Sequence, residues 1–310
     1  MNFNWNKRST GEWLELLHRS KRTNWQQSLP HAHVSALKLK KTARFATLEE
    51  DGEAIGLVIF HEVRLGPIHT IEVFRGPLWF VQDPPLAWLA AFAELFAKTF
   101  PKRPLRRRRW LPEWKDGAEV RSVLKGSGFQ STQETFETMW IDLDQSEEVL
   151  RKQLHPKWRG HLNKGLRSQL DLRLDTKGTS AELFLAYFQL HLFDKGYKSK
   201  GIAYTRQEIE SAVMFQNLML FWAYQGEEAI AAILVFSHGA TASYHAGWTT
   251  EKGRLAQAHN VLLWEALCFL KLKGFDAFDL GGMAPFTDTG IDTFKKGMGG
   301  EEFKTPGVFR

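Results

Sequence analysis

The chain has 310 residues, 43% of them hydrophobic and 25% charged, which is ordinary globular composition with enough apolar material for one large or two medium cores. Its single cysteine, Cys268, excludes an internal disulfide and fits a reducing compartment. The net charge of +6 sits in the first half: residues 1–140 carry 21 Lys/Arg against 15 Asp/Glu, and residues 141–310 carry 20 against 20.

In chain order, helices are predicted near 10–20 and 24–39, then strands at 43–48, 53–63 and about 69–80. Helix 85–99, strand 106–111, helix 117–126 and strand 132–142 follow. The apolar stretch Pro84–Phe100 is interrupted by Glu94 and Lys98 and is too short to span a bilayer of about 30 Å. The N-terminus lacks the uninterrupted apolar core of a signal peptide, so a cytoplasmic protein is expected, with peripheral membrane contact left open. Strand 106–111 opens with Arg106, Arg107, Arg108 and Arg109, just after Lys102 and Arg103. Such a run either attracts a polyanion such as a tRNA or a diphosphate-linked precursor, or is a solvated strand and loop.

The second half reads as helices 146–154 and 157–169, strand 170–175, and helices 180–195 and 205–216. Strands 218–224, 229–238 and 241–248 come next, then helix 256–273, strand 276–280, helix 290–297 and a short strand near 302–306. This order repeats the first half. Ala54 and Ala229 stand 175 apart, Trp88 and Trp264 176, Phe100 and Phe275 175. Three matches at nearly one offset indicate a duplicated domain. The expected architecture is mixed-sheet α/β (α+β), with domains 1–142 and 143–310.

The chemistry concentrates in the last third. Asp279 closes an apolar strand and precedes Gly281-Gly282, where the backbone can turn sharply against a ligand or simply turn. Asp279 either orients an amine or hydroxyl, or caps the loop. The short helix after Gly290 carries Phe294-Lys295. Lys295 is either a surface lysine beside Lys296 or a fixed cation for the negative oxygen of a tetrahedral intermediate. At the start of the second half, Arg159, Asn163 and Arg167 fall on one helix face, with Lys157 and Lys164 near it. That face suits phosphate or is merely solvated. By strict alternation Tyr244, Ala246 and Trp248 share one strand face, as core or as substrate contacts, and His245 points the other way. No spacing of His, Cys or carboxylates signals a metal site, and no nucleotide-binding glycine fingerprint is present.

Taken together, the helix Lys157–Arg167, the Gly226–Phe236 hairpin, Tyr244, the stretch Gly274–Gly282 and Phe294-Lys295 resemble the Fem family of peptidyltransferases. These attach amino acids from aminoacyl-tRNA to peptidoglycan precursors. The first half is similar more loosely, through Trp25-Gln26-Gln27-Ser28 and Arg75-Gly76-Pro77-Leu78-Trp79. The resemblance implies two tandem GNAT-like acyltransferase domains with an interdomain cleft for the precursor. It implies aminoacyl-tRNA as donor with no separate cofactor, Arg159 and its helix on precursor phosphate, and Phe294-Lys295 at the reacting ester. The tRNA-contacting coiled-coil arm of some relatives is missing, and Lys38 is the nearest lysine to offer as the first half's precursor contact. An acyl-CoA-dependent N-acyltransferase on the same fold is the alternative. The segment Glu251–Asn260 disfavours it, since only Gly253 could line a pyrophosphate cradle.

Overall fold

The computed structural model describes residues 1–6, 8–132, 134–195, 201–283 and 290–310. The chain divides into two compact units. The first holds Met1–Thr138 together with Phe303–Arg310, and the second holds Met139–Glu302. The division expected after residue 142 therefore falls after 138, and the last eight residues return to the first unit. Phe309 accounts for that return. It is fully buried and exchanges two backbone hydrogen bonds with Trp110, at 2.9 and 2.7 Å.

The first unit runs β1 (Asn2–Asn4), α1 (Thr10–Arg19), α2 (Leu29–Leu39), β2 (Thr42–Glu50), β3 (Glu53–Leu65), β4 (Ile68–Phe74), β5 (Leu78–Trp79), α3 (Leu86–Thr99), β6 (Arg106–Leu111) and α4 (Ala118–Gly126). Its sheet has the order β1-β2-β3-β4-β6, with β5 on β3. The alternation in β3 sends Val58 and Phe60 to a core built with α3, and Leu57 and Ile59 to a second core with α1 and α2. Ser9 and Glu12 form a reciprocal capping box at the start of α1. The helix expected over 24–39 is broken. Trp25–Gln27 form one tight turn, and Ser28 caps α2, whose first turn tolerates Pro30 because its N–H would be unpaired there anyway.

Gln27 explains why its motif is there. Its side-chain amide is inserted into the sheet: Oε1 accepts from Ile59 N–H at 2.7 Å, and Nε2 donates to the Phe74 carbonyl at 2.9 Å. Arg75, next along, is buried and holds Glu113 through two bonds of 2.8 and 2.7 Å. The strand expected over 69–80 thus stops at Phe74 and resumes as β5.

The second unit starts within β7 (Glu137–Asp142). It continues with α5 (Glu147–Gln153), α6 (Pro156–Leu166), β8 (Asp171–Asp175), α7 (Ala181–Lys195), α8 (Ile202–Met214), β9 (Leu218–Gln225), β10 (Glu228–His238), β11 (Thr241–Thr249), α9 (Glu251–Leu255), α10 (Ala258–Leu272), β12 (Ala277–Asp279) and α11 (Ile291–Lys296). The short strand β13 (Glu301–Lys304) follows. The sheet order is β7-β12-β11-β10-β9-β8, and α10 packs the apolar face of its central strands. The helix expected over 256–273 is α10, beginning at Ala258; the short α9 before it was not expected, and Gln257, in a left-handed conformation (φ 57°), separates the two. Gly165, on α6, faces α10: a side chain there would meet Val261 at 2.5 Å.

The repeat seen in the sequence is structural. In each unit three antiparallel strands are followed by a helix and then a strand parallel to the third: β2-β3-β4, α3, β6 and β9-β10-β11, α10, β12. Each middle strand carries a bulge at its start, at Ile55 and Ile230, which are 175 residues apart.

Candidate active site

The second unit's third strand departs from simple alternation. Leu234 pairs with Ala246, but Val235 pairs with Tyr244, so His245 is extruded as a β-bulge. The bulge resets the phase of β11. Tyr244 and Gly247 face α10, whereas Ala246 and Trp248 face the other side, so the expected common face of Tyr244, Ala246 and Trp248 is corrected. Trp248 stacks on Tyr187 with centroids 4.2 Å apart and planes at 9°. It is part of the packing beneath α7 and does not line the pocket. His245 pairs with the buried Glu208 of α8 at 3.0 Å.

Parallel pairing of β11 with β12 ends at Ser243 and Asp279, just before this bulge. Beyond that point the strands part, and a pocket of about 450 Å³ opens, lined by Tyr244, Gly247, His161, His191, Arg254, His259, Asn260, Phe294 and Lys295 among others. The sharp turn after β12 sits at its edge. Gly281 has φ 72°, and a Cβ there would stand 2.4 Å from the Tyr244 carbonyl oxygen. Both the conformation and the close approach require glycine. The Gly281 N–H donates to Asp279 Oδ1 at 2.8 Å, so this fully buried carboxylate does fold back onto the loop.

Lys295 is not a surface lysine. It is 5% exposed, and its Nζ donates to the carbonyls of Gly281 (3.2 Å) and Gly282 (2.7 Å). The ammonium lies 5.5 Å from the centroid of the Tyr244 ring. Burial pushes the Lys295 pKa down to about 8, opposed by the charges of Asp279 and Asp292. Phe294 packs between Trp158 of α6 and His259, at 5.9 and 6.3 Å. It thereby fixes the helix turn that carries Lys295.

Sequence reasoning missed three histidines that the fold brings to this pocket: His161 from α6, His191 from α7 and His259 from α10. They come from distant segments and belong to no spacing motif. The signal available for His191 and His259 was their occurrence on largely apolar helices; His161, on the cation-rich α6, offered none. A side chain at Gly247 would stand 2.4 Å from Tyr244 Oη and 2.5 Å from His259 Nε2, so these two polar atoms converge over bare backbone. Burial, with His191 nearby, lowers the His259 pKa to about 4, and burial raises that of Tyr244. Both are neutral near pH 7.

The remaining sequence candidates lie elsewhere. On α6, Lys157, Lys164 and Arg167 are exposed. The Arg159–Asn163 edge turns toward α5, where Arg151 donates to Asn163 at 2.6 Å and Arg159 reaches the Lys152 carbonyl at 3.5 Å. The helix offers the pocket His161 instead of those cations, because Trp158, Leu162 and Gly165 define its buried side. Lys38 is exposed in the last turn of α2, in the first unit. The arginine run lines a groove of about 820 Å³ with Lys102, Arg103 and Arg310. The four are not equivalent. Arg108 is buried over the Phe129 ring at 4.6 Å, Arg109 is held by Glu134 at 3.0 Å and Glu72 at 3.4 Å, and Arg107 is exposed. Among the described residues, no group of three or more His, Cys, Asp or Glu is placed to hold a metal ion.

A meander, a helix and a strand parallel to the meander's third strand, built twice in one chain, define the tandem GNAT-type acyltransferase fold. Residues 157–305 match the family model described as acetyltransferase (GNAT) domain. The chain is similar to the crystal structure of FemX, with a TM-score of 0.81 and 15% identity over 100% of this chain and 96% of that one. It is also similar to the C-terminal domain of a putative lysylphosphatidylglycerol synthetase from Agrobacterium fabrum (TM-score 0.53, 12% identity, 97% of this chain and 92% of that one). A tandem GNAT protein from the clavulanic acid biosynthesis pathway is a further neighbour (TM-score 0.51, 13% identity, 96% of this chain and 93% of that one). At these identities the likenesses establish the fold. No curated protein matches the chain in sequence.

Proposed function

We propose that the protein is an aminoacyltransferase that moves an amino acid from aminoacyl-tRNA to the peptide-stem amine of a peptidoglycan precursor. The observation that carries this reading is the buried Lys295 ammonium, aimed into a pocket by two backbone carbonyls in a fold shared with FemX. An ammonium has three N–H donors. The Gly281 and Gly282 carbonyls take two and set the direction of the third. In aminoacyl transfer the acceptor nitrogen attacks the ester carbonyl, the C–N bond forms as the C=O π bond opens, and negative charge collects on the carbonyl oxygen; when the carbonyl reforms, the ester C–O bond breaks and the tRNA ribose hydroxyl leaves with the proton given up by the nitrogen. A fixed cation at the carbonyl oxygen stabilises that charge more than the ground state. Asp279 keeps Lys295 charged despite its burial. The ester is already activated, so positioning supplies much of the remaining acceleration.

The acyl-CoA alternative draws support from the acetyltransferase family model. The loop before α10 argues against it. A pyrophosphate cradle needs free backbone N–H groups, but those of Gly253, Arg254, Ala256 and Gln257 are engaged internally, at 3.0, 3.0, 2.9 and 3.1 Å. The test is a transfer assay with radiolabelled amino acids on total tRNA, offered lipid-linked and nucleotide-linked precursor in parallel with acetyl-CoA. Label arriving on the precursor stem supports the proposal and identifies the amino acid. Acetylation with no aminoacyl transfer replaces it with the alternative.

A further inference from the structure

One end of the first unit's sheet combines features that neither catalysis nor folding uses. The β3–β4 turn exposes Leu65 at 72%, and the loop before β6 exposes Leu105 at 54%. The two tips are neighbours, since Leu65 pairs with Ile68 and the next residue, His69, donates its N–H to the Leu105 carbonyl at 3.0 Å. The last turn of α2 reaches the same end, where Thr42 pairs with Glu62 and Lys41 bonds Glu72, and it exposes Leu37 and Leu39. Single exposed leucines need no explanation, but Leu65 and Leu105 stand side by side on neighbouring tips, with two more exposed leucines at the same end of the sheet.

Cations surround these tips. Arg64, Lys102, Arg103 and Arg107 are all exposed there. Of the carboxylates here, Glu62 and Glu72 are buried and already paired with Arg44, Arg64, His69, Lys41 and Arg109, and the exposed Glu134 is held by Arg109 and Arg310. The opposite end of the sheet has the opposite sign: the β2–β3 turn presents Glu49, Glu50, Asp51 and Glu53. The unit is therefore charged end to end, with apolar tips at the cationic end.

We propose that this end of the first unit docks on an anionic phospholipid bilayer, with Leu65 and Leu105 entering the headgroup–acyl boundary and the surrounding Arg and Lys side chains on lipid phosphates. Cations draw a protein to an anionic surface, and apolar tips convert that approach into binding. A nucleic acid would use the cations but has no use for the leucines, which is why the bilayer is preferred. The inference does not depend on the donor or acceptor proposed above. If it holds, it adds a preference for an acceptor presented at a membrane.

Vesicle co-sedimentation of the full chain tests it without any transfer assay. The wild type is expected to bind vesicles of phosphatidylglycerol with phosphatidylcholine, to ignore phosphatidylcholine alone, and to release with added salt. The pair Leu65→Ser with Leu105→Asn, both at exposed positions and the second tolerant of the left-handed backbone of Leu105 (φ 63°), is expected to lose binding by on the order of tenfold. Arg103→Glu with Arg107→Glu is expected to lose about fivefold or more per position. Circular dichroism and melting of all variants should match the wild type. Wild-type protein that ignores anionic vesicles, or leucine variants that bind them as well as the wild type, would overturn the proposal. Binding of tRNA that the arginine pair alone abolishes, with no vesicle binding, would assign the groove to nucleic acid.

Discussion

Tyr244 and Lys295 share one wall of the pocket, ring centroid and ammonium 5.5 Å apart; Tyr244 faces α10 in phase with Ala242, and the bulge at His245 brings Gly247 to that same face. The carbonyl of Tyr244 also lies against Gly281, whose own carbonyl receives the lysine. Strand, glycine turn and cation thus form one unit, and the predictions for the site follow from it.

Lys295→Ala should lower the transfer rate by on the order of a hundredfold, the cost of about 3 kcal/mol for losing one oxyanion donor. Binding of the acceptor should change much less, so the loss should appear in kcat. Single-turnover transfer measures it. A rate within a few-fold of wild type would remove Lys295 from the mechanism.

The pH dependence has a defined sign. Lys295 must be protonated to act, and its pKa is lowered to about 8, so kcat should fall as pH rises through 8. The same shift disfavours the charged form in the folded state. Stability should therefore increase between pH 8 and the ordinary lysine pKa of 10.5, where the unfolded chain still binds the proton. In Lys295→Met both the kcat limb and this stability increment should be absent. Rate profiles and chemical denaturation across that range check the two separately.

Gly281→Ala should cost about 1–3 kcal/mol through its left-handed backbone alone, and more as its Cβ meets the Tyr244 carbonyl. Activity should fall further than stability, because the lysine's acceptor moves. Gly247→Ala should act on activity with a smaller loss of stability, displacing the Tyr244 hydroxyl and the His259 ring. Melting curves set beside kcat separate these effects.

Gln27→Ala should destabilise the first unit by about 1–3 kcal/mol for each buried partner left unpaired, namely the Ile59 N–H and the Phe74 carbonyl. Urea denaturation reads this directly. Gln27→Glu should be at least as damaging, since a carboxylate cannot donate to the Phe74 carbonyl.

Much of this was legible in the sequence. Apolar periodicity located the strands of both meanders, the offset of 175 announced the duplication, and Phe294-Lys295, singled out after the Gly290 turn, lines the candidate pocket. What escaped has local physical causes. A bulge inserts one residue without changing composition, so alternation placed Trp248 beside Tyr244. Gln257 separates the unexpected α9 from α10 by its backbone angle, although its side chain is a good helix former. The pocket histidines meet only after α6, α7 and α10 have packed. The arginine run looked like one electrostatic strip, but strand geometry sends alternate members to opposite faces and commits two of them to Phe129 and to glutamates.

The return of residues 303–310 to the first unit has a consequence for synthesis. Trp110 can acquire its Phe309 neighbour only after the whole second unit has left the ribosome, so the N-terminal module cannot mature in the order in which it is translated. Splitting the gene after residue 138 or 142 would leave that module with an open seam beside Trp110, and it would have to be repaired by supplying the final octapeptide in trans.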